Sequence, residues 1–203
     1  MYGLRITAEP SSEPLTVAEA KLHLNLASAV TAHDAEIAAF ITAARKVVED
    51  STGRSLISTQ WELTRDSFPY SQLWMHIPRS PLQTIDEVTF LDIDLAEQTW
   101  DSTNYTVSTT REPGRLMLRY QKIWPYPIYQ PDSVKVLFTA GYGDDGSDVP
   151  EPLKQAMKLL LSHYFEHRSA VDTMAMKYLP CGVEALCDLY RVGEEFAVYG
   201  DCE

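Results

Sequence analysis

Cysteine is scarce in this sequence: Cys181, Cys187 and Cys202 are the only three in 203 residues, and none forms a CxxC pair. An odd count late in the chain excludes a disulfide framework and a zinc knuckle and points to free thiols in a reducing compartment. Long apolar runs are missing too, since no window approaches the roughly 18 to 20 uninterrupted apolar residues of a membrane span. The opening MYGLRITAEP has no basic stretch followed by an apolar run, so a soluble chain made and kept in a cytoplasm, with no membrane partner, is expected. Positive charge is short, with 17 Lys and Arg against 29 Asp and Glu, a formal charge of -12 and a pI near 4.8. Such a balance works against adhesion to phosphate backbones or anionic lipid and excludes a sequence-reading DNA binder. A nucleophile elbow, a P-loop and a carboxylate pair in a pocket context are all lacking, and no cofactor is expected.

What is present is ordinary globular material. At 45% hydrophobic and 23% charged the chain is not compositionally disordered, and its length allows one good core or two small ones. Thr16-Val17-Ala18-Glu19 has the form of a capping box, in which hydroxyl and carboxylate each satisfy an amide at the helix start. The short helix it opens carries its apolar stripe to about Leu26. A second helix opens near Asp34, with Ile37, Phe40, Ile41, Ala44, Val47 and Val48 at helical spacing and Gly53 as a left-handed stop. The period then changes from 3.6 to 2 through six short runs: Trp61 and Leu63; Leu73, Met75 and Ile77; Val88 and Phe90; Tyr105 and Val107; Leu116 and Leu118; Val134, Val136 and Phe138. Helical spacing returns after Asp148 with Leu153, Met157, Leu160, Leu161, Tyr164 and Phe165, ending near Arg168. A last helix of two or three turns is expected around Val183 to Tyr190, too short to stand without a docking surface.

These patterns predict an α+β fold: a small helical bundle interrupted by an antiparallel β meander or barrel-like insertion, with an extended C-terminal arm. The expected divisions are residues 1–55 for the N-terminal helices, 56–146 for the β insertion, 147–168 for the returning helix, and 169–203 for the arm with its short helix and acidic tail.

Two motifs resemble enzyme signatures. Gly141-Tyr142-Gly143-Asp144-Asp145-Gly146 satisfies GxGxxG literally, yet its two aspartates stand where a pyrophosphate would have to sit and no βαβ unit follows. An ordinary glycine turn between strand and helix is the better reading. His163-Tyr164-Phe165-Glu166-His167 matches HxxEH, which places two imidazoles one turn apart beside a general base. A zinc hydrolase using His163, Glu166 and His167 is therefore the competing class, against a polar helix flank. The aromatic run Trp124-Pro125-Tyr126-Pro127-Ile128-Tyr129 reads equally well as a rigid loop packed on its own sheet or as a contact surface.

Taken in order, Leu15 to Lys21, the helix from Ile37 ending Glu49-Asp50-Ser51-Thr52-Gly53-Arg54, and Pro81-Leu82-Gln83-Thr84-Ile85 form a recognisable series. Trp124-Pro125, Phe138 to Gly143 leading to Val149-Pro150, Ala156 to Arg168, Gly182 to Leu186 and Tyr190-Arg191 continue it. This series resembles the head-tail connector, or adaptor, family of long-tailed bacteriophages in its longer form with a β insertion. The chain differs in continuing past Arg191 with an acidic tail, Glu194 to Glu203. The resemblance implies a non-catalytic virion protein at the head-tail interface, present in the host cytoplasm during assembly. It implies a homo-oligomeric ring, twelvefold, beneath the portal protein, with a downstream stopper or tail-terminator protein below. Genomic DNA would pass through its lumen without sequence-specific binding, and an acidic lumen wall is expected from the charge. Val183, Leu186, Leu189, Tyr190 and Arg191 are the expected portal contacts. A tail-side adaptor or tail-completion protein is the alternative, since the same elements could serve either junction.

Overall fold

The computed structural model describes residues 2–166 and 181–192, which fall into two compact units. One is helical and draws on residues 11–57 and 142–191; the other is β and draws on residues 2–10 and 58–141 together with Val192.

The helical unit holds α1 (Val17–His23), α2 (Asp34–Thr52), α3 (Glu151–Glu166) and α4 (Cys181–Asp188). Helix α1 starts where the capping box places it: the Thr16 hydroxyl accepts from the Glu19 amide at 3.2 Å and the Glu19 carboxylate accepts from the Thr16 amide at 2.8 Å. Gly53 ends α2 with φ 70°, a left-handed position open to glycine at no steric cost, and its N–H donates to the Glu49 carbonyl. The stripe read from the sequence is the buried one, with Ile37, Ile41, Ala44 and Val48 enclosed against Leu153, Ala156, Met157 and Leu160 of α3. Residue 167 and the rest of the expected end of that third helix lie outside the described residues.

The Thr16 cap sets a modest and measurable prediction. Its hydrogen bonds to backbone and side chain of Thr16 hold the Glu19 carboxyl below the usual carboxylate range. A carboxyl lowered in the folded state adds stability that is full above its unfolded pKa and is lost as pH falls through the folded value. Thr16→Ala therefore costs about 1 kcal/mol at neutral pH, and the difference from the native chain shrinks in acid, as urea titrations at pH 7 and pH 3 would record.

The β unit contains β1 (Tyr2–Ala8), β2 (Thr59–Arg65), β3 (Trp74–His76), β4 (Leu82–Leu91), β5 (Glu97–Thr99), β6 (Tyr105–Ser108), β7 (Arg115–Leu118) and β8 (Val134–Ala140). They make an open five-stranded antiparallel sheet, ordered β1-β2-β8-β4-β5, and a three-stranded one, ordered β3-β7-β6. The barrel-like alternative is thereby corrected: the sheets are not closed. Nor is the larger sheet a simple meander, because β8, last in sequence, sits between β2 and β4, with Phe138 opposite both Trp61 and Ile85. Its strict alternation buries Val134, Val136, Phe138 and Ala140 on one face and leaves Lys135, Leu137 and Thr139 on the other.

Two strands were not foreseen. Strand β1 lies within the stretch assigned above to the N-terminal helices and pairs along its length with β2, so the β unit takes in the chain's first residues. Strand β5 is wholly polar and exposed, and pairs with the end of β4. Between the sheets lies an aromatic core in which Phe68 stacks on Trp124 at 5.2 Å and tilts against Trp100 at 5.5 Å, while Trp100 in turn meets Tyr105 at 5.2 Å.

Candidate assembly surfaces

Helix α4 and the turn that follows it carry the residues expected to contact a portal. Val183 and Cys187 are fully buried in the helical core, and burial pushes the Cys187 thiol up. Leu186 and Tyr190 are half-buried against the same core. Leu189, 73% exposed, and Arg191, paired with Asp188 at 2.8 Å, are the two whose side chains face outward. The Arg54 guanidinium fixes this end of the chain: it donates from Nε to the Tyr190 carbonyl and lies 5.8 Å from the Tyr142 ring and 5.9 Å from the Tyr190 ring. Cation–π contact of this kind adds to the hydrogen bond because the guanidinium is largely removed from water. The marginal helix thus finds its docking surface within its own unit, through one inward face, and offers the other.

The enzyme-like motifs do other work. In the glycine run, a Cβ on Gly143 would fall 2.1 Å from Asp148 Oδ2. That carboxylate accepts from the Asp145 amide at 3.3 Å, and the Ser12 hydroxyl donates to the Asp144 carbonyl at 2.5 Å. A carboxylate therefore fills the concavity that a phosphate would need, and the run is a self-capped turn into α3. His163 lies in the last turn of α3, its ring 6.2 Å from that of Tyr164; Glu166 is exposed, and His167 lies outside the described residues. Among the described residues no cluster of three His, Cys, Asp or Glu could hold a metal. A shallow depression on the larger sheet is lined by Glu62, Glu87, Thr89, Glu97, Thr99 and Lys135, several of which pair with one another: Lys135 donates to Glu97 at 2.9 Å, Thr89 to Glu97 at 3.1 Å and Thr99 to Glu87 at 3.0 Å. The Lys135 ammonium and the Thr89 hydroxyl hold the Glu97 carboxyl below its ordinary value.

The aromatic loop is divided between core and surface. Trp124 points inward, its indole N–H donating to the Gln72 carbonyl at 2.8 Å, whereas Tyr126 is 73% exposed and stacks on Tyr70 at 5.2 Å. Tyr120, Ile123 and Tyr129 are more exposed than half. Large apolar side chains left this exposed on one loop are the kind of surface that interaction sites use.

No helix among the described residues is long and apolar enough to cross a membrane. What the sequence is built for is decided by its match to a family: residues 14–191 fit the model of the head completion proteins. The chain belongs to the head completion protein family. The match spans both units, and it bears out at family level the head-tail connector resemblance carried by the motif series. Solved structures agree. The neck of an empty gene transfer agent particle, computed with C6 symmetry, contains a chain of 26% identity and TM-score 0.77 that covers 94% of this chain and 96% of its own. A chain in the virion of the native gene transfer agent particle matches at 25% identity and TM-score 0.76 over 94% and 95%, and one in the native neck computed with C12 symmetry at 25% and 0.75 over 94% and 96%. No curated protein matches the sequence. The family is a structural one.

Proposed function

We propose that this chain is a subunit of a twelvefold ring in the neck of a tailed particle, seated beneath the portal, joining head to tail and encircling the passing DNA. The observation that carries this reading is the end-to-end match, over 94% of the chain, to a protein of a particle neck computed with C12 symmetry. Ring neighbours meet through heterologous contacts that close, so each copy must present two different complementary surfaces. Twelve chains of formal charge -12 each make a strongly acidic annulus, which keeps phosphate contacts few and lets DNA slide. A stopper or tail terminator would take the lower face, and no step of catalysis is assigned.

Within this reading the turn that leaves α4 meets the portal, with Leu189 and Arg191 as the contacting side chains and Val183 as the residue that seats the helix. Removing the whole segment would uncover the helical core, so a surface variant is the sharper test. Leu189→Asp combined with Arg191→Glu shifts stability by no more than about 0.5 kcal/mol, as exposed substitutions do, yet lowers capture by portal-containing heads at least about tenfold in a pull-down. Undiminished capture removes α4 from the portal interface, and imaging the axial position of the ring in particles would then place the chain at the tail-side junction.

A further inference from the structure

The β unit is electrically divided along its sequence. Between Arg79 and Arg111 stand six acidic residues and no Lys or Arg, whereas Arg111 to Lys122 holds four basic residues and one acid. Each half ends in an exposed apolar display. On the acidic side, the turn between β4 and β5 exposes Ile93 at 80% and Leu95 at 59%. That turn is rigid: the Asp92 carboxylate accepts from the amides of Asp94 and Ala96 and from the Gln98 side chain, at 2.8 to 3.0 Å. Leu95 is held at φ 63°, a left-handed conformation leucine rarely adopts. On the basic side, the turn after β7 exposes Tyr120 at 90% and Ile123 at 73%, flanked by Arg119 and Lys122. This second turn is tied to the segment that leaves β5, because the Arg119 amide donates to the Asn104 carbonyl; hydrogen bonds from Thr103 hold the Asp101 carboxyl low, and the charge of Lys122 adds to them. The two displays thus sit at the two ends of β5 and the segment that leaves it.

We infer that the Asp94-flanked apolar turn of one copy docks on the Lys122-flanked aromatic shelf of the next copy around the ring. The proposal rests on the ring reading and names its contact. A protein of net charge -12 repels its own copies unless a local basic surface receives a local acidic one. Opposite charge around two apolar surfaces at two places on one unit is the arrangement a closing heterologous interface needs, and it disfavours a symmetric pair, in which like surfaces would face each other.

The full chain, followed by sedimentation velocity and native mass spectrometry over a concentration series, tests this. Asp94→Lys and Lys122→Glu are both exposed changes. Each alone weakens assembly at least about tenfold, as expected for like charges set against each other in an interface, and the two combined in one chain restore it. Ile93→Ser with Leu95→Ser leaves thermal melting unchanged and the chain monomeric. Native oligomers that these variants leave intact overturn the contact while the ring stands. A native chain that stays monomeric at every concentration overturns the contact as a self-association and counts against the ring with it.

Discussion

Phe68→Ala destabilises the β unit by about 3 to 5 kcal/mol. Phe68 is 1% exposed, and three rings converge on it: Trp124 stacked at 5.2 Å, Trp100 tilted at 5.5 Å and Phe90 edge-on at 6.3 Å. Its position makes truncation costly. Phe68 belongs to the connection between β2 and β3, not to a strand, so alanine there leaves a void among rings fixed by their own strands and hydrogen bonds. The indole of Trp124, for one, is anchored to Gln72 and cannot follow the lost ring inward. Each aromatic pair adds about 0.5 to 1.5 kcal/mol beyond buried area, which places the value toward the upper end. All four tryptophans, Trp61, Trp74, Trp100 and Trp124, lie in the β unit. Tryptophan fluorescence during denaturant unfolding therefore reports this unit alone. A midpoint shift equivalent to less than about 1 kcal/mol would mean that the rings collapse onto one another and do not form the fixed cage described. Tyr126→Ala, an exposed stack on Tyr70, shifts the same transition by no more than about 0.5 kcal/mol.

How much of this could be read in the sequence depends on the range of the interaction that sets each element. Helices α1 and α2 were legible because their stripe and stops are local: Thr16 with Glu19 at one start, Gly53 at the other end. The six strands with alternating Val, Ile, Leu and aromatic residues were legible for the same reason. Strand β1 was not, since Leu4 and Ile6 are only partly buried and its partner β2 lies more than fifty residues on. Strand β5 has no apolar residue at all; it exists because Asp92 closes the turn that folds it back on β4. The place of β8 between β2 and β4 is a long-range register, fixed by which face of each strand is buried, and no local period encodes it. On α4 the period shows a stripe but not its use. Val183 and Leu189 look alike in the sequence; packing of α4 against α3 encloses Val183, whereas Leu189 falls in the turn after α4 and stays exposed. The aromatic run near Trp124 likewise could not be divided into core and surface without the indole's partner.

Glu49→Ala unfolds the helical unit more readily than any single apolar truncation of comparable size, because it breaks a buried charge network at its centre. Arg45 and Glu49 are 2% and 5% exposed. The Arg45 guanidinium donates to Glu13 at 2.9 Å and to Glu49 at 3.1 Å, while the second Glu49 oxygen accepts from the Leu56 amide at 2.8 Å and Glu13 also accepts from the Thr42 hydroxyl at 2.8 Å. One turn of α2 thus fastens both the segment that leads into α1 and the segment that leaves toward β2. Taking away the Glu49 carboxylate strips a buried cation of one counter-charge and the enclosed Leu56 amide of its acceptor at once. Breaking a buried pair from one side costs about 3 to 5 kcal/mol, and the lost amide bond adds about 1 to 3. The chain has no tryptophan in this unit, so helical ellipticity at 222 nm is the readout, and fluorescence serves as the internal control. Glu49→Gln keeps an acceptor for Leu56 and loses only the charge, so it falls between the native chain and Glu49→Ala. Equal midpoints for the Gln and Ala variants would assign the whole effect to the ion pair and none to the strap on Leu56. The same experiment bears on assembly: if only the ellipticity transition moves with Glu49 and only the fluorescence transition moves with Phe68, the units fold independently. The proposed contact of the β unit with a neighbouring copy and the proposed contact of the turn after α4 with the portal would then be separable by mutation in the particle.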